Sequence, residues 1–346
     1  MAQFLYTTPE GRINKVKGEI LAHAVPVEVL GMTGSNKMLP KNSGDNIVFR
    51  RYLPFGGATT NQNTINRYDV DANEHLLQEG VTPPADTLVP QDITVQIQQY
   101  GCLYQYTDKT ADLYEDDVPA EMKKHVGERM GLVREMIRYG ELKSCTNKFY
   151  AGGTSRATVD ETISLNLLRK ISRNLLANHA KTITRVLAPS ANFNTAPVEA
   201  AFLVFCHTDM EHDIRGLPGF KEVVSYGQRK PVHEHEIGSV DRFRFVVSPE
   251  LMSVADSGAA VGSTGLYSTT GSNVDVYPVI VVAEDAWGDV ALRGKDSFDM
   301  TDIKPGQKDK NDPMGQRGYV GAKFYSAAVL LNQGHMAVAE CGATAL

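Results

Sequence analysis

The run DVPAEMKKHVGERMGLVREMIRYGELKSC, Asp117 to Cys145, is the longest stretch that reads as one element, and its reading decides the fold. Val118, Met122, Val126, Met130, Val133 and Ile137 recur every three or four residues, which places them on one side of a 3.6-residue helix. Leu132, Met136 and Tyr139 widen that face. Asp117 suits the N-cap, Pro119 falls in the first turn where no donor is missed, and Lys143 sits near the negative end of the dipole. The spacing predicts a helix about 40 Å long at roughly 1.5 Å per residue, a spine rather than one wall of a compact core. Gly127 and Gly131 lie four apart on one face, and each costs about 1 kcal/mol relative to Ala. Either another segment approaches that face closely or they are simply tolerated.

Upstream, residues 1–45 carry little periodicity and five glycines. They read as an extended arm with a short helix near Val16 to Val25. Two strand patterns follow. Ile47, Phe49, Leu53 and Phe55 alternate with Val48, Arg50 and Tyr52, interrupted by Arg51; Ile93, Val95 and Ile97 alternate with Thr94, Gln96 and Gln98. The polar segment between them exceeds the roughly 12–15 residues usual for a loop in a compact domain, and predicts either a long hairpin that reaches away from its own subunit or a disordered loop. The strand pattern resumes from Tyr100 to Asp108, and the acidic Glu115-Asp116-Asp117 leads into the spine helix.

Downstream, Phe149 to Gly153 reads as a turn. Leu165, Leu168, Ile171, Leu175 and Leu176 form a second amphipathic helix capped by Ser164. Ile183 to Ala188, Ala201 to Cys206 and Phe243 to Val247 read as strands, with a short helix from Asp209 to Arg215, and predict a separate α/β subdomain. Ser253 to Asn273 reads as a surface loop. Strands return at Val276 to Val282, Trp287 to Leu292, Tyr319 to Leu331 and Met336 to Glu340. No internal repeat is present, which excludes solenoids and propellers.

Composition narrows the function. The 346 residues are 42% hydrophobic and 22% charged, an ordinary globular balance. With no run of 18 apolar residues and no signal-peptide order, the chain reads as soluble and made in the cytoplasm, with no membrane partner. Cys102, Cys145, Cys206 and Cys341 are too scattered for a thiolate metal site or a disulfide framework. A net charge of -6 argues against a protein whose main task is gripping nucleic acid. By the same argument Arg169, Lys170 and Arg173 on the second helix are expected to make salt bridges or subunit contacts rather than a DNA-binding site.

The densest titratable cluster is His233-Glu234-His235-Glu236, with His207, Asp209, Glu211 and His212 upstream. In an extended segment, two His two residues apart share a side and could chelate zinc; in a turn they are solvated polar residues. No nucleophile elbow, P-loop, dinucleotide fingerprint or C-x-x-C occurs. Adjacent carboxylates such as Asp116-Asp117 lack an environment that would split their pKa values. No catalytic, cofactor-binding or metal residue is assigned.

Several segments in order resemble the major capsid proteins of tailed bacteriophages, in the branch related to the coliphage N4 capsid protein. They are Leu39 to Gly44 with Phe49 to Pro54, Asp92 to Gly101, Leu217 to Phe220, Glu236 to Ser239 with Arg244 to Val246 and Ser248 to Glu250, and Asp312-Pro313 with Gln316 to Gly318. The resemblance covers nearly the whole chain; Asn61 to Leu77 departs from it as an insertion in the extended loop. It implies an α+β, HK97-like fold with an N-terminal arm (1–45), an extended loop (46–108), a peripheral domain with the spine helix (109–181 and 275–346) and an axial domain (182–274). It implies a non-enzymatic shell protein of an icosahedral head, assembling with itself in hexamers and pentamers. Portal, scaffolding and decoration proteins would be its partners, and it would enclose double-stranded DNA without sequence-specific binding. Arg50, Arg51, Tyr52, Asn61, Tyr68, His75 and Leu76 are the expected inter-subunit contacts. The shell of an encapsulin-type nanocompartment is an alternative in the same fold, and a metal-dependent hydrolase using His233 and His235 is a rival of another class.

Overall fold

The spine helix is present in the computed structural model, which describes residues 25–42, 44–53, 73, 76–77, 79–80, 82, 88–113, 117–187, 195–227, 230–262, 264–292, 298–308, 310 and 312–346. In chain order the first elements are β1 (Ser35–Leu39), β2 (Asn46–Tyr52), β3 (Pro90–Gln96), β4 (Gln98–Thr107), α1 (Asp108–Leu113), the spine α2 (Val118–Leu142), β5 (Lys148–Tyr150) and α3 (Leu165–Ala177). Next come β6 (Ile183–Leu187), β7 (Thr195–Cys206), α4 (Glu211–Arg215), β8 (Lys221–Glu222), β9 (Glu236–Val240) and β10 (Phe243–Val247). The chain ends through β11 (Tyr277–Val282), β12 (Trp287–Leu292), β13 (Asp299–Ile303), β14 (Arg317–Leu330) and β15 (Met336–Cys341). The helix expected near Val16 lies outside the described residues.

Local chemistry sets the helix ends. Asp117 accepts a hydrogen bond from the Ala120 N–H at 3.2 Å, satisfying one of the donors a helix start leaves unpaired. Ser164 does the same for the Leu167 N–H. The spine spans two sheets. Its first two-thirds place Met122, Val126 and Met130 against Tyr106 of β4 and Val320, Ala322 and Phe324 of β14. Its last turns place Tyr139 and Leu142 against Phe205, Ile280 and Val338 of the other sheet.

The five-stranded sheet runs β1-β12-β14-β13, with β4 also paired to β14 over ten residues. The eight-stranded sheet runs β5-β15-β11-β7-β10-β9-β8, with β6 on β7. Its central strands β10, β11 and β15 are buried at every position, as expected for strands covered on both faces. One face packs Phe202, Val204, Phe243, Phe245, Val279 and Ala339 against Leu167, Leu168, Ile171 and Leu175 of α3. The other carries Leu203, Phe205, Val246 and Ile280 toward the spine.

Several expectations are corrected. Residues 35–39, read as arm, form a strand parallel to β12, with Ser35 opposite Gly288. The strand expected to run through Asp108 stops at Thr107, where Thr107 Oγ1 accepts from the Thr110 N–H and opens α1. The turn at 149–153 begins as β5, which pairs with β15. Within the segment 46–108, β4 lies in the β14 sheet, so only β2 and β3 form the hairpin. Strand pairing also crosses the boundary drawn at residue 275: β11 and β15 join β7 and β10 in one sheet. Both strands are buried at every position and need cover on both faces, which this sheet supplies.

One buried polar knot joins arm, spine and sheet. Glu135, fully buried on α2, accepts from the backbone N–H groups of Val29 at 2.7 Å and Leu30 at 2.8 Å. Arg138 lies one turn on, 3.5 Å from Glu135 Oε2, and donates through Nε to Asp289 of β12 at 3.0 Å. Burial pushes the Glu135 carboxyl up, and the two arm N–H groups and Arg138 pull it back. A Cβ at Gly131 would collide with the Glu28 carboxylate, so this glycine admits the arm. Nothing approaches Gly127, which is merely tolerated.

A second knot closes the β5 edge of the large sheet. The buried Glu340 carboxylate takes both ends of the Arg156 fork, at 2.7 and 2.6 Å, with Lys148 Nζ at 3.4 Å. Burial alone would raise this carboxyl, but Arg156 and Lys148 outweigh it and hold the group below the usual carboxylate range.

Three outcomes follow from these contacts. Val126→Pro, at a fully buried position in mid-spine, costs about 3 kcal/mol or more and abolishes soluble expression; a normally folded, assembling variant would show that 118–142 need not be a continuous helix. Glu135→Leu leaves the two buried arm donors of Val29 and Leu30 without an acceptor while Arg138 keeps Asp289, a loss of about 2–6 kcal/mol at roughly 1–3 kcal/mol per unsatisfied group, read as a lower urea midpoint and faster proteolysis near residue 28. Because Glu340 is held below its unfolded value, its contribution is present above about pH 4.3 and is lost as pH falls through the folded value. Glu340→Gln therefore lowers stability at neutral pH and flattens the acid limb of the stability curve, and an unchanged acid limb would contradict this.

Candidate assembly surfaces

The hairpin is the first surface. β2 and β3 pair in unbroken antiparallel register, from Asn46 opposite Gln96 to Tyr52 opposite Pro90. Their side chains alternate as the sequence predicts. Ile47, Phe49, Ile93 and Val95 pack on Leu39, Ile97, Val290, Ala327 and Val329, so the hairpin base is seated on its own five-stranded sheet. The opposite side presents Val48 and Tyr52, 53% and 59% exposed.

Of the expected contact residues, Arg50 and Asp92 form a cross-strand fork, Nε to Oδ1 and Nη2 to Oδ2 both at 2.7 Å. Hydrogen bonding from Arg50 lowers the Asp92 carboxyl, and the same bond raises the Arg50 guanidinium. Arg51 donates to Gln91 Oε1 from Nε and Nη2 at 3.2 and 3.1 Å. Both arginines are thus engaged across the hairpin, where they fix its register. Leu76 is 74% exposed, and Leu77 and Leu88 are similarly bare. Asn61, Tyr68 and His75 lie outside the described residues.

The His cluster forms a turn rather than an extended segment. His233 Nδ1 accepts from the His235 N–H at 3.2 Å, and the rings stand 5.3 Å apart. Glu236 is turned inward, where it accepts from Tyr226 Oη, the Val232 N–H and the Arg244 fork. Burial lowers the His233 pKa, with His235 adding to the shift. Among the described residues no group of three or more His, Cys, Asp or Glu could hold a metal ion, and no helix is long and apolar enough to cross a membrane.

On α3, Arg169 reaches Asp241 at 3.3 Å. Lys170 and Arg173 are exposed and make no ion pair among the described residues. Glu135 and Arg138 escaped the sequence reading, although their signal was there: an acid and a base three apart on the stripe Gly131, Glu135, Arg138, Leu142.

No family model matches the chain. It is 23% identical over 330 residues to the major capsid protein of Pseudomonas phage KPP21, covering 83% of this chain and 81% of that relative. Among solved structures it resembles the capsid of Ralstonia phage GP4, with a TM-score of 0.66 at 11% identity over 100% of this chain and 99% of that one. The head structure of Helicobacter pylori bacteriophage KHP40 matches at a TM-score of 0.60 and 12% identity, covering 95% and 94%. The cyanophage Pam1 capsid matches at 0.56 and 14% over the full length of both chains. With a spine helix laid across two sheets and a hairpin seated on one of them, and with overlap along its whole length, the chain has the HK97-like fold of phage capsid proteins.

Proposed function

We propose that the chain is the major capsid protein of a tailed bacteriophage and closes, through hexamers and pentamers of itself, into an icosahedral head shell around double-stranded DNA. The observation that carries this reading is the likeness to a phage major capsid protein along more than four-fifths of both sequences. The surface chemistry agrees. A shell is built by heterologous contacts, which need different surfaces on each copy, and a hairpin that bares Val48 and Tyr52 on its outer side, with Leu76 and Leu88 exposed in the segment between its strands, is suited to lie on a neighbour. The role is structural, without catalysis. In capsid terms the arm is 1–45, the extended loop 46–108, the peripheral domain 109–181 with 275–346, and the axial domain 182–274; β11 and β15 carry the last part of the chain back into the axial sheet. Placement in the branch related to the coliphage N4 capsid protein rests on the motifs quoted above. Portal, scaffolding and decoration proteins are the further partners, and the virion is the place of action.

The nanocompartment shell uses the same fold and is separated by content. Electron micrographs of particles purified from an infected host should show closed shells of uniform size that carry nuclease-resistant DNA. Shells filled with protein and free of DNA would replace this reading with the compartment. Deleting Asn61 to Leu77 should leave a soluble chain that assembles poorly or into altered particles, whereas normal shells from the deletion would remove the insert from the assembly contacts.

A further inference from the structure

We infer that the groove between α3 and the β9–β10 turn, where Arg169, Arg173 and Arg242 converge around Ser172 with Asp241 as the one lining carboxylate, is a contact for the phosphate backbone of duplex DNA. This rests on the reading of the chain as a DNA-enclosing shell, and assigns the groove to the face that meets the genome.

The placement comes from two distant parts of the sequence. Arg169 and Arg173 stand one helical turn apart on the exposed side of α3, whose other side is sealed by Leu168, Ile171 and Leu175 in the core. Spacing of four residues puts their side chains side by side. Arg242 is delivered by the tight turn between β9 and β10, where Asp241 takes a left-handed backbone (φ 49°). Together these residues, with Ser172, Leu176 and Phe243, line an open groove of about 520 Å³. Lys170 adds a fourth exposed cation on the same helix.

Most of this charge is uncompensated among the described residues. Asp241 engages Arg169 at 3.3 Å, with side chains 62% (Arg169) and 48% (Asp241) exposed, and such exposed pairs are worth little. Arg173, Arg242 and Lys170 have no carboxylate partner among the described residues. Of the salt bridges or subunit contacts expected of these three residues, a salt bridge within the described residues is made by Arg169.

The shape selects the ligand. Guanidinium forks match phosphate oxygens bidentately, and a hydroxyl such as that of Ser172 is a common phosphate donor. A small anion would need an enclosed site, whereas this groove is open and its cations are spread along it. An acidic protein segment would need a buried anchor for affinity, and Leu176 at the rim, 42% exposed, is the one bare apolar side chain lining the groove. A phosphate backbone needs no anchor, because released counterions drive its binding. One patch of this size per copy is weak and so lets DNA slide, consistent with the net charge of -6.

The test is a titration of the full-length unassembled chain with a short labelled duplex between about 0.05 and 0.2 M salt, together with micrographs of assembled particles. Wild type should bind within the non-specific range of about 10⁻⁴ to 10⁻⁶ M at physiological salt. Arg173→Gln with Arg242→Gln should flatten the slope of log K against log salt by about 2, one phosphate contact for each. Arg173→Lys with Arg242→Lys should keep the slope, and Arg50→Gln on the hairpin should not change it. Shells should still form from the Gln variant. An unchanged slope in that variant would overturn the proposal. So would loss of shells with the slope retained, which would make the groove a subunit contact, or displacement of the duplex by poly-glutamate at equal charge, which would assign it to an acidic protein segment. Particles lacking DNA would instead refute the genome-enclosing reading, while the slope still reports whether the groove grips phosphate.

Discussion

A carboxylate with no access to water holds this fold in register. Glu135 sits in the middle of the spine, and an ionised carboxylate buried there is unfavourable by several kcal/mol unless hydrogen bonds and an opposite charge surround it. Two backbone donors from the arm and the Arg138 guanidinium provide that cover. Because Arg138 also binds Asp289, arm, helix and β12 must be placed together or not at all. The neighbouring contacts depend on the same placement. Trp287 lies over Gly34, where a Cβ would stand 2.7 Å from its ring, and donates to Thr33 at 3.1 Å.

From this point the route of the chain is fixed. The arm passes through the knot into β1, whose pairing with β12 completes the five-stranded sheet, and a short turn then launches the hairpin from that sheet. The hairpin root is held by Ile47, Phe49, Ile93 and Val95, and its register by the Arg50–Asp92 fork. A rigid root with a bare apolar outer side suits a contact on a neighbour, since little ordering entropy remains to be lost on docking. Polar groups are buried where the chain must be unique, and apolar groups are exposed on the hairpin, where the proposed shell would need copies to meet.

The sequence was legible wherever a period repeats within one element. The spine, α3, β2 and β3 all follow from spacing of 3.6 or 2 with a cap or a turn at the end. It was opaque where an element owes its form to a remote partner. SNKML at 35–39 has no alternation, and becomes a strand because β12, some 250 residues away, offers a parallel edge. Which strands share a sheet was equally hidden, since β5, β7, β11 and β15 come from four separate stretches. At the candidate surfaces, the Arg50-Arg51-Tyr52 run was visible as strand, but its engagement with Asp92 and Gln91 depends on register. The α3 groove needed Arg242 from a turn far along the chain, and no local pattern joins it to Arg173.

Amide hydrogen exchange at Val29 and Leu30 tests the central constraint most directly. Outside any strand or long helix, these two N–H groups have the Glu135 carboxylate as acceptor, so no other element protects them. Both amides should exchange as slowly as those of the buried strands β7 and β11, and return to rapid exchange in Glu135→Leu. Exchange of both amides in the wild-type chain at the rate of unstructured backbone would contradict it.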